Sequence, residues 1–183
     1  MIPAGYMFKR ISSGPEWLKA ENVHDIYSVS ACISDNFADY INFWKHNGYW
    51  LFDSREIMTT LAKDHHIDLA GTALFYYEVY EREYDEGNKV WQEFKPEDSF
   101  GTNVLVPQSK TLQGFDVVTF WAHSNPECSP LSCNSLAETI PINEHCLLRS
   151  LDEAKNLIEA GEFDDSEPGP YRIFAVYTVP SGA

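Results

Sequence analysis

Cysteine and histidine side chains gather in the second half of the chain, where they could bind a metal ion. His123, Cys128 and Cys133 are separated by four residues each, and His145 and Cys146 are adjacent. Thiolate and imidazole groups are ligands that suit Zn²⁺. Zinc ligands usually come in pairs two to four residues apart, however, and no Cys-x2-Cys pair occurs. These five residues are therefore weakly patterned metal candidates, and no cofactor is predicted.

The same residues fit two other roles. His123 or His145 beside Cys128 or Cys133 would lower the thiol pKa and supply a thiolate nucleophile. Alternatively, Cys32 and Cys146 lie on strands and serve as small buried hydrophobes. Gly-rich phosphate loops, Gly-x-Ser-x-Gly elbows, His-Glu-x-x-His pairs and EF-hand loops are absent from the sequence. No catalytic residue is assigned, and whether the protein is an enzyme stays open.

A second set of residues could bind a protein partner. Along the predicted strand from Thr72 to Tyr84, tyrosines alternate with charged side chains, and acidic residues continue through the following turn. Exposed tyrosines supply rigid contact area, whereas buried ones cover a sheet. Both arrangements are open at this point. The predicted binding residues are Tyr76, Glu78, Tyr80, Glu81, Glu83 and Tyr84.

The charge balance restricts the partners. The chain of 183 residues carries 28 acidic and 13 basic side chains, for a formal net charge of -15. A surplus of this size repels nucleic-acid phosphate and attracts basic proteins. No apolar run approaches the roughly 20 residues of a membrane helix, and the first ten residues do not resemble a secretory signal. We therefore expect a cytoplasmic protein that binds neither nucleic acid nor membrane.

Two serines begin the helices that would position these residues. Ser150 with Glu153 forms a capping box, the next nine residues have an apolar face at helical spacing, and Gly161 ends the segment. Ser54 begins a similar helix without the matching glutamate. Strands are predicted at 26–33, 72–80, 115–122 and 171–179, and the last of these is apolar on both faces and should be central. A hairpin turns at 85–88.

The pattern of elements predicts an α+β (α/β-like) fold with mixed sheets and helices packed on them. A strand-helix-strand-helix-strand order occurs twice, in halves 24–94 and 115–180, which suggests a tandem duplication within a single domain. In this reading Phe37 and Leu136 begin corresponding helices, and Ser54 and Ser150 lie 96 residues apart. Residues 95–113 form a loop-rich connector that contains two prolines.

Two functions from different classes follow. The first is an acidic module of inhibitor or immunity type that neutralises a basic partner by electrostatic occlusion. The second is an enzyme or a small-molecule or metal-binding protein, with the Cys128–Cys133 loop at the rim of a cleft between the halves. A homo-oligomer built through an edge strand is a third reading.

Overall fold

An antiparallel sheet forms the centre of an α+β fold in the computed structural model, which describes residues 1–30, 37, 46–95, 101–120 and 128–180. Its long strands are β1 (Ile2–Arg10), β4 (Thr72–Val79), β8 (Tyr171–Thr178) and β7 (Thr111–Thr119), adjacent in that order. A hairpin of β5 (Arg82–Asp85) and β6 (Val90–Glu93) joins the end of β8 through the Tyr84–Tyr171 pair. Two short strands, β2 (Ser12–Ser13) and β3 (Asp25–Ile26), pair separately.

The two main helices begin at the predicted serines. In α1 (Arg55–Asp64), the Ile57 N–H donates to the Ser54 hydroxyl at 3.3 Å. In α3 (Leu151–Glu159), the Glu153 N–H donates to the Ser150 hydroxyl at 3.1 Å, and the Glu153 carboxylate accepts from the Arg149 N–H at 2.8 Å. Each helix thus has donors of its first turn satisfied, and each buries one apolar stripe against the sheet.

The sheet has two lobes, one of β1 and β4 with α1 and one of β7 and β8 with α3, and they share several features. Tyr6 of β1 bridges to Phe52, just before α1, and Phe115 of β7 bridges to Leu148, just before α3. Both outer strands shift register at a glycine with positive φ, at Gly5 (+139°) and at Gly114 (+153°). At each glycine a backbone carbonyl lies 2.7 Å from where a Cβ would stand, so no side chain fits there.

An asparagine organises the loop before each helix. The Asn47 amide donates to the Ala4 carbonyl at 2.8 Å, and its oxygen accepts from the backbone of Tyr49. Asn143 donates to the Gln113 carbonyl at 2.7 Å and accepts from His145 in the same way. The two lobes meet where β4 pairs with β8. The Tyr77–Val176 pair has Tyr76–Tyr177 on one side and Glu78–Ala175 on the other, and exchanging the two strands places each of these pairs at the position of the other.

The structure corrects several predicted elements. Among the described residues 26–30 of the predicted strand 26–33, only Ile26 is in a strand, because the Tyr27 N–H donates to the His145 carbonyl and the Val29 N–H to the Asp116 carboxylate. Residues 31–33 and 38–41 lie outside the described residues. The predicted helix at 136–140 is a single 3-10 turn after the short α2 (Pro130–Cys133). Strand β1 bridges to the segment before α1 as β7 bridges to the segment before α3, and β1 lies outside the predicted half 24–94.

Other predicted elements are confirmed. Strands β4 and β8 lie where expected, β8 is central, and the hairpin turns at the predicted residues. Residues 101–110 of the predicted connector have no regular structure, but 111–113 belong to β7. No helix in the described part of the chain has both the length and the apolar character needed to cross a bilayer.

Candidate functional site

The six predicted binding residues do not share one exposed face. Tyr76 and Tyr84 are buried, and Glu78, Tyr80 and Glu83 are partly buried. Glu81 is the exposed member of the set. A partner could not contact Tyr76 or Tyr84 without rearrangement, because both rings pack within the protein. Of the two arrangements that the sequence left open, burial within the protein holds for Tyr76 and Tyr84.

Glu83 binds an internal cation. Its carboxylate accepts from the Arg172 guanidinium at 2.6 Å and 2.7 Å, and the Arg172 side chain is only 11% exposed. The guanidinium also lies 3.7 Å from the ring centroids of both Phe94 and Phe120. Burial lowers the pKa of Arg172, and the Glu83 charge opposes that shift. This arrangement holds the hairpin against the central sheet.

Glu78 lies in a second arrangement, which we call the central cation box: the rings of Tyr76 and Tyr177 and the carboxylate of Glu78, with the Lys110 ammonium between them. The Lys110 nitrogen forms an ion pair with Glu78 and lies 4.8 Å from the Tyr76 ring centroid and 4.2 Å from that of Tyr177. Tyr177 and Tyr76 donate hydroxyl hydrogen bonds to the Glu78 carboxylate at 2.9 Å and 3.4 Å. The box lies beside the Tyr77–Val176 pair where the two lobes meet.

The ionisation behaviour of the box follows from its contacts. Burial acts to raise the pKa of Glu78, but hydrogen bonds from Lys110 and Tyr177 and the Lys110 charge outweigh it and leave the pKa below its usual value. Burial and the Glu78 charge raise the pKa of Tyr177 to about 12, and the pKa of Tyr76 rises further for the same reasons. At neutral pH the Glu78 side chain is therefore a carboxylate, and the two phenols around it are neutral.

Apolar side chains of the connector and of β7 flank this box. The Tyr6 ring contacts Tyr76 at a centroid distance of 5.0 Å, and the Tyr6 hydroxyl donates to the Leu105 carbonyl at 2.5 Å. Leu112 pairs across the sheet with Tyr177. Leu105 and Leu112 are nevertheless 57% and 46% exposed, as is the neighbouring Val106 at 56%. We call these three side chains the apolar rim.

Two acidic segments far apart in sequence meet at the hairpin. The Trp91 indole donates to the Glu159 carboxylate at 2.6 Å, and Lys89 lies 3.8 Å from Asp164. These contacts join the hairpin to the end of α3 and the turn after it. The acidic surface, as we define it, consists of Glu81, Asp85, Glu86, Glu159, Glu162, Asp164 and Asp165, all exposed or partly exposed.

The predicted cysteine and histidine site does not assemble in the described residues. The His145 Nδ1–H donates to the Asp25 carboxylate at 2.6 Å, and the His145 ring stacks on Tyr27 with ring centroids 4.1 Å apart. Cys146 is buried, and burial followed by the Asp116 and Cys133 charges raises the pKa of its thiol to about 12.

Cys128 pairs with the end of β7, and Cys133 lies in α2. His123 falls outside the described residues. Across the part of the chain that the structure describes, no three His, Cys, Asp or Glu side chains come together as a metal site.

Sequence reasoning missed a buried polar network on the sheet. Asp116 is fully buried and accepts from the hydroxyls of Ser28 and Ser129 at 2.6 Å each and from the Val29 N–H at 3.1 Å. Burial raises the pKa of this carboxyl, and the three donors oppose the shift. Lys9 is 2% exposed, and its ammonium donates to the carbonyls of Ser28 and Ser30. A charged residue within an otherwise apolar strand was the available signal.

Comparison with known proteins identifies no relative. No protein-family model, no curated protein and no solved structure matches the chain.

Proposed function

We propose that the protein is an acidic binding module that occludes a basic protein partner, in the manner of an inhibitor or an immunity protein. The observation that carries this proposal is the acidic surface, in which carboxylates about 80 residues apart in sequence meet through the Trp91–Glu159 and Lys89–Asp164 contacts. A concentrated negative field speeds the encounter with a basic partner and orients it.

The placement of the basic side chains supports the same function. Lys9 is buried, and the side chains of Arg172 and Lys110 are only 11% and 25% exposed. Each of these cations contacts oxygen atoms inside the protein. Its positive charge is therefore largely compensated there and adds little to the potential at the surface. The exterior is therefore more negative than the ratio of acidic to basic residues alone implies. A partner without a basic face gains nothing from such a surface.

The proposal predicts that binding depends on salt and on particular carboxylates. The test variant combines Glu81→Gln, Glu162→Gln and Asp165→Asn, three exposed side chains of the acidic surface. The control removes the same charge elsewhere, through substitutions at three other exposed positions: Glu16→Gln, Glu21→Gln and Asp64→Asn. Neither set includes a carboxylate for which a side-chain hydrogen bond is described above.

Binding is measured by biolayer interferometry against a panel of basic proteins and of acidic proteins of similar size, from about 50 to about 500 mM salt. We expect a basic partner whose association rate constant falls with salt and drops about three- to tenfold in the test variant, with little change in the control. Binding that ignores salt, or that falls equally in both variants, would refute the proposal.

We also infer that the two lobes arose by duplication and fusion of one unit, and that the protein is cytoplasmic. The duplication is supported by the equivalent glycines, Gly5 and Gly114, the equivalent asparagines, Asn47 and Asn143, and the shared register shift.

A reducing compartment suits the buried thiol of Cys146. Fractionation of the source cells, with a reporter for each compartment, tests the location.

A further inference from the structure

We propose that the central cation box is a lysine-binding site, and that Lys110 occupies it until a lysine of the partner takes its place. This inference rests on the proposed function and adds to it the chemistry of the anchoring contact. The acidic surface would bring the partner in, and the box would hold one of its side chains.

The box has the composition that an alkylammonium ion requires. Two aromatic faces lie 4.2 Å and 4.8 Å from the Lys110 nitrogen, and a carboxylate neutralises its charge. Ring faces attract cations through their quadrupoles, and the attraction grows where water is excluded. The phenol hydroxyls of Tyr76 and Tyr177 fix the Glu78 carboxylate by hydrogen bonds, so this acceptor is already oriented.

Lys110 is attached in a way that permits exchange. It is the last of residues 101–110 of the connector, which have no regular structure, and it directly precedes the first residue of β7. The connector is held by its backbone, through the Leu105 N–H to the Asp53 carbonyl at 3.0 Å and the Leu105 carbonyl to the Tyr6 hydroxyl. The Lys110 side chain can therefore rotate into solvent while these backbone contacts persist.

Exchange also leaves Glu78 paired. Because the incoming group carries the same charge and the same shape as the outgoing one, no carboxylate is left uncompensated in a partly buried site. The released Lys110 ammonium is hydrated at the surface. The net cost of the exchange is then small, and contacts outside the box decide its direction.

Those outer contacts are present on both sides of the box. The apolar rim of Leu105, Val106 and Leu112 offers exposed hydrophobic area to residues beside the incoming lysine. In the other direction, Tyr80 directly follows β4 and lies two residues, roughly 7 Å, from Glu78. It contacts Trp91, whose indole donates a hydrogen bond to Glu159 of the acidic surface. The partner segment is thus a lysine with apolar residues on one side and further basic residues on the other.

The experiment uses Nα-acetyl-lysine methylamide as the probe and its Nε-acetylated form as the uncharged control. Binding to the full chain is followed by NMR with ¹³C-labelled lysine and tyrosine. In the wild-type protein, the rings of Tyr76 and Tyr177 should shift the side-chain signals of Lys110 away from ordinary lysine positions. Saturating probe should return these signals to ordinary positions, and the uncharged probe should not.

Variants supply the second measurement. Lys110→Met keeps the aliphatic stem but empties the ammonium position, and it should bind the probe at least about tenfold more tightly because the tethered competitor is gone. Tyr177→Leu in the Lys110→Met background should abolish that gain. Lys155→Met is the matched control, since Lys155 also lies over a tyrosine ring, that of Tyr80 at 5.4 Å, but outside the box; its affinity should equal that of the wild type.

Two results would overturn the inference: Lys110 signals that stay shifted at the highest probe concentration, or a Lys110→Met variant that binds no more tightly than the wild type. The wild-type NMR measurement decides the question even if the variant fails to fold. Either negative result would leave salt-dependent binding at the acidic surface intact, so this inference and the proposed function fail separately.

Discussion

Replacing Gly114 by alanine should destabilise the protein because the backbone geometry there excludes a side chain. Gly114 has a φ of +153°, and an added Cβ would lie 2.7 Å from both the Leu147 Cβ and the Leu148 carbonyl oxygen. Unstrained contacts are roughly 3.5–4.0 Å, and neither neighbouring atom is the end of a flexible side chain. We expect about 1 kcal/mol from the backbone conformation and about 1–3 kcal/mol from the overlap.

The same change at Gly5 should cost a similar free energy of unfolding. There the added Cβ would lie 2.7 Å from the Leu51 Cβ and 2.7 Å from the Phe52 carbonyl oxygen. Gly101→Ala is the matched control, since its φ is +69° but nothing lies within 4 Å of the added atom. It should lose only the conformational contribution of about 1 kcal/mol.

Urea unfolding followed by tryptophan fluorescence gives the free energy of unfolding of each variant. We expect the free energy of unfolding to fall by about 2–4 kcal/mol for Gly5→Ala and Gly114→Ala, and by about 1 kcal/mol for Gly101→Ala. Losses at Gly5 and Gly114 no larger than at Gly101 would refute the steric argument. A large loss at only one of the two would contradict the proposed duplication.

Three further predictions concern single side chains. Ser150→Ala should lower the free energy of unfolding by about 1 kcal/mol in urea titrations, because the first turn of α3 loses its cap; an unchanged midpoint would contradict this. Because the pKa of Glu78 is lowered on folding, the stability that it adds over Glu78→Gln should be complete above the unfolded value of about 4.3 and should shrink as the pH falls through the folded value; a gap independent of pH would exclude the ion pair as its source. Cys146, with a pKa near 12, should react with iodoacetamide only after denaturation, and labelling of its peptide in the native protein, detected by mass spectrometry, would show that the thiol is accessible.

Local signals in the sequence were reliable where a single segment decides its own structure. Ser150 with Glu153 predicted a capped helix, and the apolar run after Arg172 predicted a central strand. The cap depends on residues only a few positions apart, and a strand that is buried on both faces is apolar at nearly every position. Both properties can be read directly from a short segment of sequence. The hairpin at 85–88 belongs to the same class.

Signals failed where distant segments compete for the same backbone groups. The stretch after Ile26 is apolar and β-branched, but the Val29 N–H donates to the Asp116 side chain and the Tyr27 N–H donates to the His145 carbonyl, so neither joins a ladder of strand backbone bonds. β1 was missed because its alternation is interrupted by Gly5, whose role is visible only when Phe52 is beside it. Such pairings are tertiary, and single-sequence patterns do not contain them.

The candidate site was predicted in part. The position of Glu78 and Tyr76 on one side of β4 follows from alternation, but the identity of their cation does not. Lys110 comes from 32 residues away, and Tyr177 reaches the box only because β8 pairs with β4. The convergence of the two acidic segments likewise depends on the Trp91–Glu159 contact, which no spacing rule anticipates.

The position of β8 in the chain has a consequence for biosynthesis. This strand pairs with β4, β7 and β5, yet it follows all of them in the sequence. During translation, β1 and β4 can pair before β8 has been synthesised. Strand β7 cannot pair at that stage, because β8 is its only partner strand among the described residues. Premature termination before Tyr171 would therefore leave the largely buried strand β7 without its partner strand, and such an exposed edge is a target for chaperones and for aggregation.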